Sequence, residues 1–542
     1  MAENKANEQY DKQSMVGILA QYEEKLATSK SQRSAANELG IPRSTIRHWS
    51  DQKSKIPLSA QEIAFIESEC GFEFLHRIFI AIQFVMTQVG SCGIRQVCLV
   101  MELSKLDYFI ASSYESVRQR SIEMENHIGQ FGDEESENLA IEMPEKTITL
   151  AQDETFHPEI CLVAMEPVSN YILLEKYAKN LNSSTWSDAM TKALAGLKVI
   201  VSQSTADQGS ALIKHISESL GAHHSPDLFH VKYDISKGIS ATLGKNLGHA
   251  TKSMEKIEND IDKNSNKNEP DKAKAKKLKK SLTAAKKELT LRDSQSKKVK
   301  KASKSIGAAY HPYGLHNGET QSPEKLEESL NQSFNDIESV ADAINLKETG
   351  KDKIQKAKKL IPSLVATMSF YFATIGTLIL SLGLGDDLDQ IMRDVLIPVA
   401  YLRQAERKAK GSANRAHIRS VAYELEKKLE KNEVWLSQTE EYQRKLRVEA
   451  LNCANIFQRS SSCVEGRNGY LSLRHHGLHK ISDRKLKVLT VIHNFFIKRD
   501  DDTTAAERFY GQKHRDLFEE LVKKMSYARR SRKRLPSLAE AA

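Results

Sequence analysis

Two aspartates, Asp153 in AQDETFH and Asp207 in STADQGS, each stand where a short aliphatic run gives way to turn formers. The runs KTITLAQDETF, EICLVAMEPVSN and YILLEKYA are rich in β-branched and aliphatic residues, which predicts three strands, and LKVIVSQS predicts a fourth. Side chains at strand ends of an α/β sheet project into an open crevice. The spacing 207 − 153 = 54 leaves room for two strands and a helix. An acidic residue after a strand is common, so neither aspartate decides anything alone; the pair, with those elements between, points to a site. The chemistry that such a site would suit is phosphoryl transfer. Three converging carboxylates can hold two divalent cations roughly 3.5–4 Å apart, one activating the attacking water or 3′-hydroxyl and the other stabilising the leaving oxygen.

A third carboxylate comes much later, at Glu465 in RSSSCVEGRNGYLSLRHHG, on a segment expected to be helical from about Ser462. Its R-S-S-S-x-V-E-G-x-N pattern resembles the glutamate-bearing helix of bacterial insertion-sequence DDE-type transposases. ASSYES (Ala111–Ser116) and RFYGQKH (Arg508–His514) add to the likeness. The gap 465 − 207 = 258 is read as helical, as in transposase families with an all-helical insertion between the second aspartate and the glutamate. Those families often carry a Cys-or-Asp-x-x-His motif after the second aspartate, and Asp227-Leu-Phe-His230 fits it. The resemblance covers the N-terminal motif described below, the core and the glutamate helix; the middle of the insertion is placed by position and helicity alone. It implies an α/β RNase H-like core in which Asp153, Asp207 and Glu465 are both catalytic residues and ligands of two Mg²⁺ (or Mn²⁺) ions, with Asp227 and His230 in support. It further implies cleavage and strand transfer on double-stranded transposon ends and target DNA, by a homodimer or higher homo-oligomer.

Around Glu465 other residues have two readings each. Arg467, Asn468 and Arg474 offer guanidinium and amide groups that suit a scissile phosphate, or they line a solvated helix face. Gly466 and Gly469 weaken the helix and leave space for a DNA backbone. His475, His476 and His479 could ligate a metal, though core or surface histidines are the plainer reading. Trp435, in the charged segment EKNEVWLSQ, could stack on an unpaired base or pack in a core.

The elements that position such a site begin with Ser31–Trp49 (SQRSAANELGIPRSTIRHW), a helix-turn-helix pattern within three expected helices over 13–50. Ala36 suits a close helix crossing, Gly40 a tight turn with positive φ, and Pro42 the first turn of the next helix. Ile41, Ile46 and Trp49 supply a core, leaving Arg33, Arg43, Ser44, Arg47 and His48 as candidate DNA-binding residues in a major groove. The chain is expected to divide into this all-α domain over 1–56 and a second helical domain and linker over 57–145, with Asp133–Glu137 (DEESE) as linker. The first part of the core follows over 146–238, the helical insertion over 239–451, the second part with Glu465 over 452–525, and a basic disordered tail over 526–542.

Of the 542 residues 40% are hydrophobic and 28% charged, which suits a soluble protein of several domains. Residues 271–305 hold 14 Lys+Arg against 3 Asp+Glu, an excess of +11 within a chain of net charge +9. That block, on an expected helical hairpin, points to phosphate or anionic lipid, or is a solvated lysine-rich helix. Six scattered cysteines without a C-x-x-C pair suggest a reducing compartment, and the N-terminus carries no apolar signal. The expected location is cytoplasmic and nucleoid-associated in a bacterium. Leu360–Gly385 is uncharged and long enough to span a bilayer; a buried core helix is the expectation, with no membrane partner. No phosphate-binding glycine loop is present. Two other function classes stay open: a domesticated sequence-specific DNA-binding protein, and a structure-selective nuclease on the same core.

Overall fold

The β-branched runs form one five-stranded sheet: Lys146–Phe156 (β1), Ile160–Glu166 (β2), Tyr171–Ala178 (β3), Val199–Ala206 (β4) and His223–Pro226 (β5), in the order β3-β2-β1-β4-β5. β2 pairs antiparallel with β1 and β3, whereas β4 runs parallel to β1 and β5 parallel to β4. Between Ile148 and Asp153 every residue of β1 is buried, the pattern of a strand covered on both faces. The computed structural model describes residues 12–28, 30–54, 61, 64, 65, 68–156, 159–266, 271–478 and 480–527. The tail Arg529–Arg534 and His479 lie outside them. The chain divides into two compact units, one formed by Glu145–Asn468 and the other by Met1–Pro144 with Gly469–Ala542.

In the Glu145–Asn468 unit the connection from β3 to β4 is the helix Ser183–Leu194, started by the Asn182 side chain accepting from the Thr185 N–H at 2.7 Å. From Leu228 to Ile456 the described residues form helices, apart from one bridge between Tyr313 and Thr320. The expected hairpin is present as two 38-residue helices, Leu228–Ser265 and Lys272–Ala309. Met254, Ile257 and Ile261 on one, with Leu278, Leu282 and Leu289 on the other, are half-buried, and Ala285 is buried. The lysines stand outside. A large core joins the bases of these helices to the rest of the insertion, through Val231, Ile235, Ile306, Phe334 and Tyr371 among others. The helix Ile361–Ser381 sends Ile361, Leu364, Met368, Tyr371, Ile375 and Ile379 into that core at helical spacing, while Leu380 is exposed. Two helical stretches among the described residues, Glu69–Val89 and Glu348–Ser381, are long and apolar enough to cross a membrane.

The other unit is helical among its described residues. Lys12–Ala27, Gln32–Glu38 and Arg43–Ser54 pack around Leu19, Tyr22, Ala35, Ala36, Ile41, Ile46 and Trp49. Gly40 turns the chain between the last two at φ +65°, where a β-carbon would be strained. The acidic run Asp133–Glu137 is not a linker. It lies inside the 29-residue helix Tyr114–Glu142, because Phe131, Glu135 and Leu139 are buried at helical spacing and Glu135 is paired with Arg515. The apolar segment Leu486–Arg499 belongs to this unit as well. Its helix Asp483–Phe495 packs on Tyr114–Glu142 so closely that a β-carbon at Gly132 would come within 2.3 Å of Val491 Cγ2. The core therefore ends near Asn468 rather than at 525.

Candidate metal centre

Register alone brings the two aspartates together. In the parallel β1–β4 pair Gln152 lies opposite Ala206, so Asp153 and Asp207 are the next residues along neighbouring strands. Behind them is a buried polar column. The Ser204 hydroxyl donates to Gln152 Oε1 at 2.7 Å, Gln152 Nε2 lies 3.3 Å from His215 Nε2, and His215 Nδ1 lies 3.1 Å from the Ser187 hydroxyl. Burial pushes His215 down to about 4, so this column is neutral at physiological pH. Asp207 is fixed on the exit turn, where its Oδ1 accepts the Gly209 N–H at 2.9 Å and its carbonyl lies 3.1 Å from His224 Nε2.

Sequence reasoning missed Glu154. Its carboxylate oxygen joins those of Asp153 and Asp207 in a group whose atoms all lie within 4.8 Å of one another. Strand alternation would send it to the opposite face from Asp153, but the Trp186 indole N–H donates to Glu154 Oε1 at 2.9 Å and holds it at the strand end. Glu465, in the first turn of the helix Ser462–Leu478, is not in that group, but its charge acts on Asp153. Burial, then the charge of Glu465 and that of Asp207, raise the Asp153 carboxyl from 3.8 to about 7.

Asp227 and His230 form a bracket on the other side. Asp227 is buried as the N-cap of Leu228–Ser265, accepting from the Phe229 N–H at 2.7 Å. Its Oδ2 also faces His230 Nδ1 at 3.0 Å and accepts from the Ser461 hydroxyl at 2.5 Å. Ser461 was not foreseen, although it lies in the R-S-S-S run. The hydrogen bond from Asp227 raises His230 to about 9, and its Nε2 stands 3.9 Å from Glu465 Oε1. The charges of Asp227, Asp153 and Glu465 therefore all bear on this one imidazolium.

Asn468, half-buried, reaches the same group. Its Nδ2 donates to Asp153 Oδ2 at 3.0 Å, and its buried Oδ1 has no partner. Arg467, expected at a phosphate, is instead buried in a bidentate pair with the buried Glu175, both bonds at 2.6 Å. Arg474, in the other unit, is buried with its guanidinium on the carbonyls of Val89 and Gly90 and on the Tyr470 hydroxyl. Neither guanidinium is exposed as a phosphate clamp. A β-carbon at Gly466 or Gly469 would meet nothing within 4 Å, so open space surrounds both. Trp435 is buried in the helical core, with the Arg447 guanidinium 5.4 Å above its ring. His475 and His476 join no metal-type group among the described residues. Arg33, Arg43, Ser44, Arg47 and His48 are all exposed.

The grouped carboxylates of Asp153, Glu154 and Asp207, with Glu465 acting on Asp153 and the unpartnered Asn468 Oδ1 nearby, suit hard divalent cations, which prefer oxygen ligands. Residues 392–537 match the model of a family described as a family of unknown function (DUF6399). The match takes in Glu465 but neither aspartate, and covers well under half of the chain. No curated protein and no solved structure matches the chain.

Proposed function

We propose that the chain is a DNA transposase with an RNase H-like core, cutting and joining DNA by two-metal phosphoryl transfer. The observation that carries this is the convergence of Asp153 and Asp207 on adjacent parallel strands with Glu465, which arrives 312 residues after the first (465 − 153). Three antiparallel strands followed by two parallel ones with helical crossovers agree with the expected core. The helical insertion and the Asp227/His230 bracket agree with the resemblance in the glutamate segment.

Asp153, Asp207 and Glu465 would hold the ions, with Glu154 and Asn468 Oδ1 available beside them. When bound, Mg²⁺ or Mn²⁺ supplies an activated water or 3′-hydroxyl and stabilises the leaving oxygen. His230, protonated near neutral pH, offsets part of the negative charge and holds Glu465 on its side of the site. The helices around Gln32–Glu38 and Arg43–Ser54 are read as the helix-turn-helix that recognises transposon ends, with Arg43, Ser44, Arg47 and His48 toward base edges and Arg33 toward phosphate. The remaining expectations, a homodimer or higher oligomer working in a bacterial cytoplasm on double-stranded DNA without a membrane, belong to the same reading.

The test uses the DNA that flanks this gene as substrate. Asp153→Asn, Asp207→Asn and Glu465→Gln should each abolish Mg²⁺-dependent cleavage and strand transfer while end binding persists. Wild-type strand transfer in any one of them overturns the assignment. Cleavage without joining would identify a nuclease on the same core.

A further inference from the structure

Within the Glu145–Asn468 unit a cavity of about 730 Å³ opens between the base of the long helical hairpin and the residues that lead into the glutamate helix. Four cations line it, Arg459, Lys232, Lys304 and Lys408, and no aspartate or glutamate does. Like charges gathered on one cavity wall favour an anion there. Arg459 is the built part. One of its terminal nitrogens, Nη2, donates to the Gly307 carbonyl at 2.5 Å, while its Nε is buried without a hydrogen-bond partner. Lys232 stands beside it, and burial together with the charge of Arg459 holds its ammonium below the ordinary lysine value. The carboxylates next in sequence to lining residues are engaged with other groups: Glu166 accepts from the N–H groups of Val168 and Ser169 at 2.9 and 2.7 Å, Asp227 from the Phe229 N–H and the Ser461 hydroxyl, and Glu406 from Arg419. Tyr401 and Phe457 give the cavity an aromatic wall, which suits a planar body attached to the anion.

We infer that this cavity is a second anion site, separate from the carboxylates, that takes a phosphate monoester on a nucleotide. Arg459, Lys232 and Lys304 meet the phosphate, and the base lies against the aromatic wall. A phosphate monoester carries close to two negative charges at neutral pH, more than a carboxylate could offer four cations. Two sources share this chemistry, a free nucleoside monophosphate and the 5′-phosphorylated end of a DNA strand. The inference does not require the acidic cluster to cut DNA.

Calorimetric titration of the full chain in EDTA, which silences any metal chemistry, tests it. The probes are dAMP, deoxyadenosine, and a short single strand with either a 5′-phosphate or a 5′-hydroxyl. Binding of dAMP should be saturable at one site and at least about tenfold tighter than that of deoxyadenosine. The double substitution Lys232→Gln with Lys304→Gln should weaken it by about tenfold or more. Lys304→Gln alone, at an exposed position, should weaken it measurably with the melting temperature unchanged, which separates lost binding from lost folding. A phosphorylated strand binding more tightly than dAMP assigns the source to a DNA end, and the reverse order to a free nucleotide; either upholds the site. Equal binding of dAMP and deoxyadenosine, no binding of either, or affinity unaffected by Lys304→Gln overturns it.

Discussion

Without metal, Asp153 should make the folded protein weaker as pH rises. Its carboxyl goes from 3.8 in the free side chain to about 7 in the fold, because burial and the charges of Glu465 and Asp207 oppose its ionisation. A raised carboxyl pKa means that the folded state prefers the protonated form. The penalty is therefore absent below about pH 4, grows between pH 4 and 7, and is complete above pH 7. At about 1.36 kcal/mol per pH unit, the rise from 3.8 to about 7 corresponds to at most about 4 kcal/mol. Asp153→Asn removes the charge and keeps an oxygen to accept from Asn468. In EDTA the variant should match wild type at pH 4 and exceed it by up to about 4 kcal/mol at pH 8. Saturating Mg²⁺ should close the gap by stabilising wild type alone. Urea unfolding followed by tryptophan fluorescence is the assay, since Trp186 and Trp435, two of the three tryptophans, lie in this unit and Trp186 bonds directly to Glu154. Parallel pH curves for the two proteins, or an equal response to Mg²⁺, would refute the idea of a cluster built around missing cations.

Arg467→Ala should cost about 3–5 kcal/mol in urea unfolding, because it removes the bidentate partner of a carboxylate whose side chain is buried; a surface arginine kept for DNA would cost little and instead lower affinity. Neutralising several exposed lysines between Lys272 and Lys304 should weaken binding to all DNA sequences alike and flatten the slope of log K against log[salt] by about 0.9 per lost contact. An unchanged slope would assign that hairpin to protein assembly. Replacing Arg43 and Arg47 with alanine should abolish preference for cognate over random duplex in a gel-shift competition while leaving circular dichroism unchanged, since both are exposed.

The sheet was legible because β-branched runs bounded by turn residues leave few alternatives, and two aspartates at parallel strand ends follow from that register. Glu154 was not, because period-two alternation argues against two neighbours sharing a site and only the Trp186 contact, 32 residues away, overrides it. The roles given to Arg467 and Arg474 rested on residue type. Glu175, which holds Arg467, and the Gly90 carbonyl, which Arg474 reaches, lie 292 and 384 residues away in sequence, where no local pattern reaches. The acidic run in Asp133–Glu137 read as a linker because polarity was weighed above period: only Glu135 of that run is buried, between Phe131 and Leu139.

The unit that runs from Glu145 to Asn468 interrupts the other one, which resumes at Gly469. During synthesis this imposes an order. The helix Tyr114–Glu142 emerges early, yet its partner Asp483–Phe495 cannot meet it until the whole intervening unit has left the ribosome. At about 5–20 residues per second, the 324 residues from 145 to 468 occupy the nascent chain for roughly 16–65 s. Throughout that interval the apolar face destined for Val491 and Phe495 has no native cover. The acidic cluster, by contrast, has all its segments as soon as Asn468 is clear. From that point the chain carries every residue of that cluster while the other unit is still unfinished.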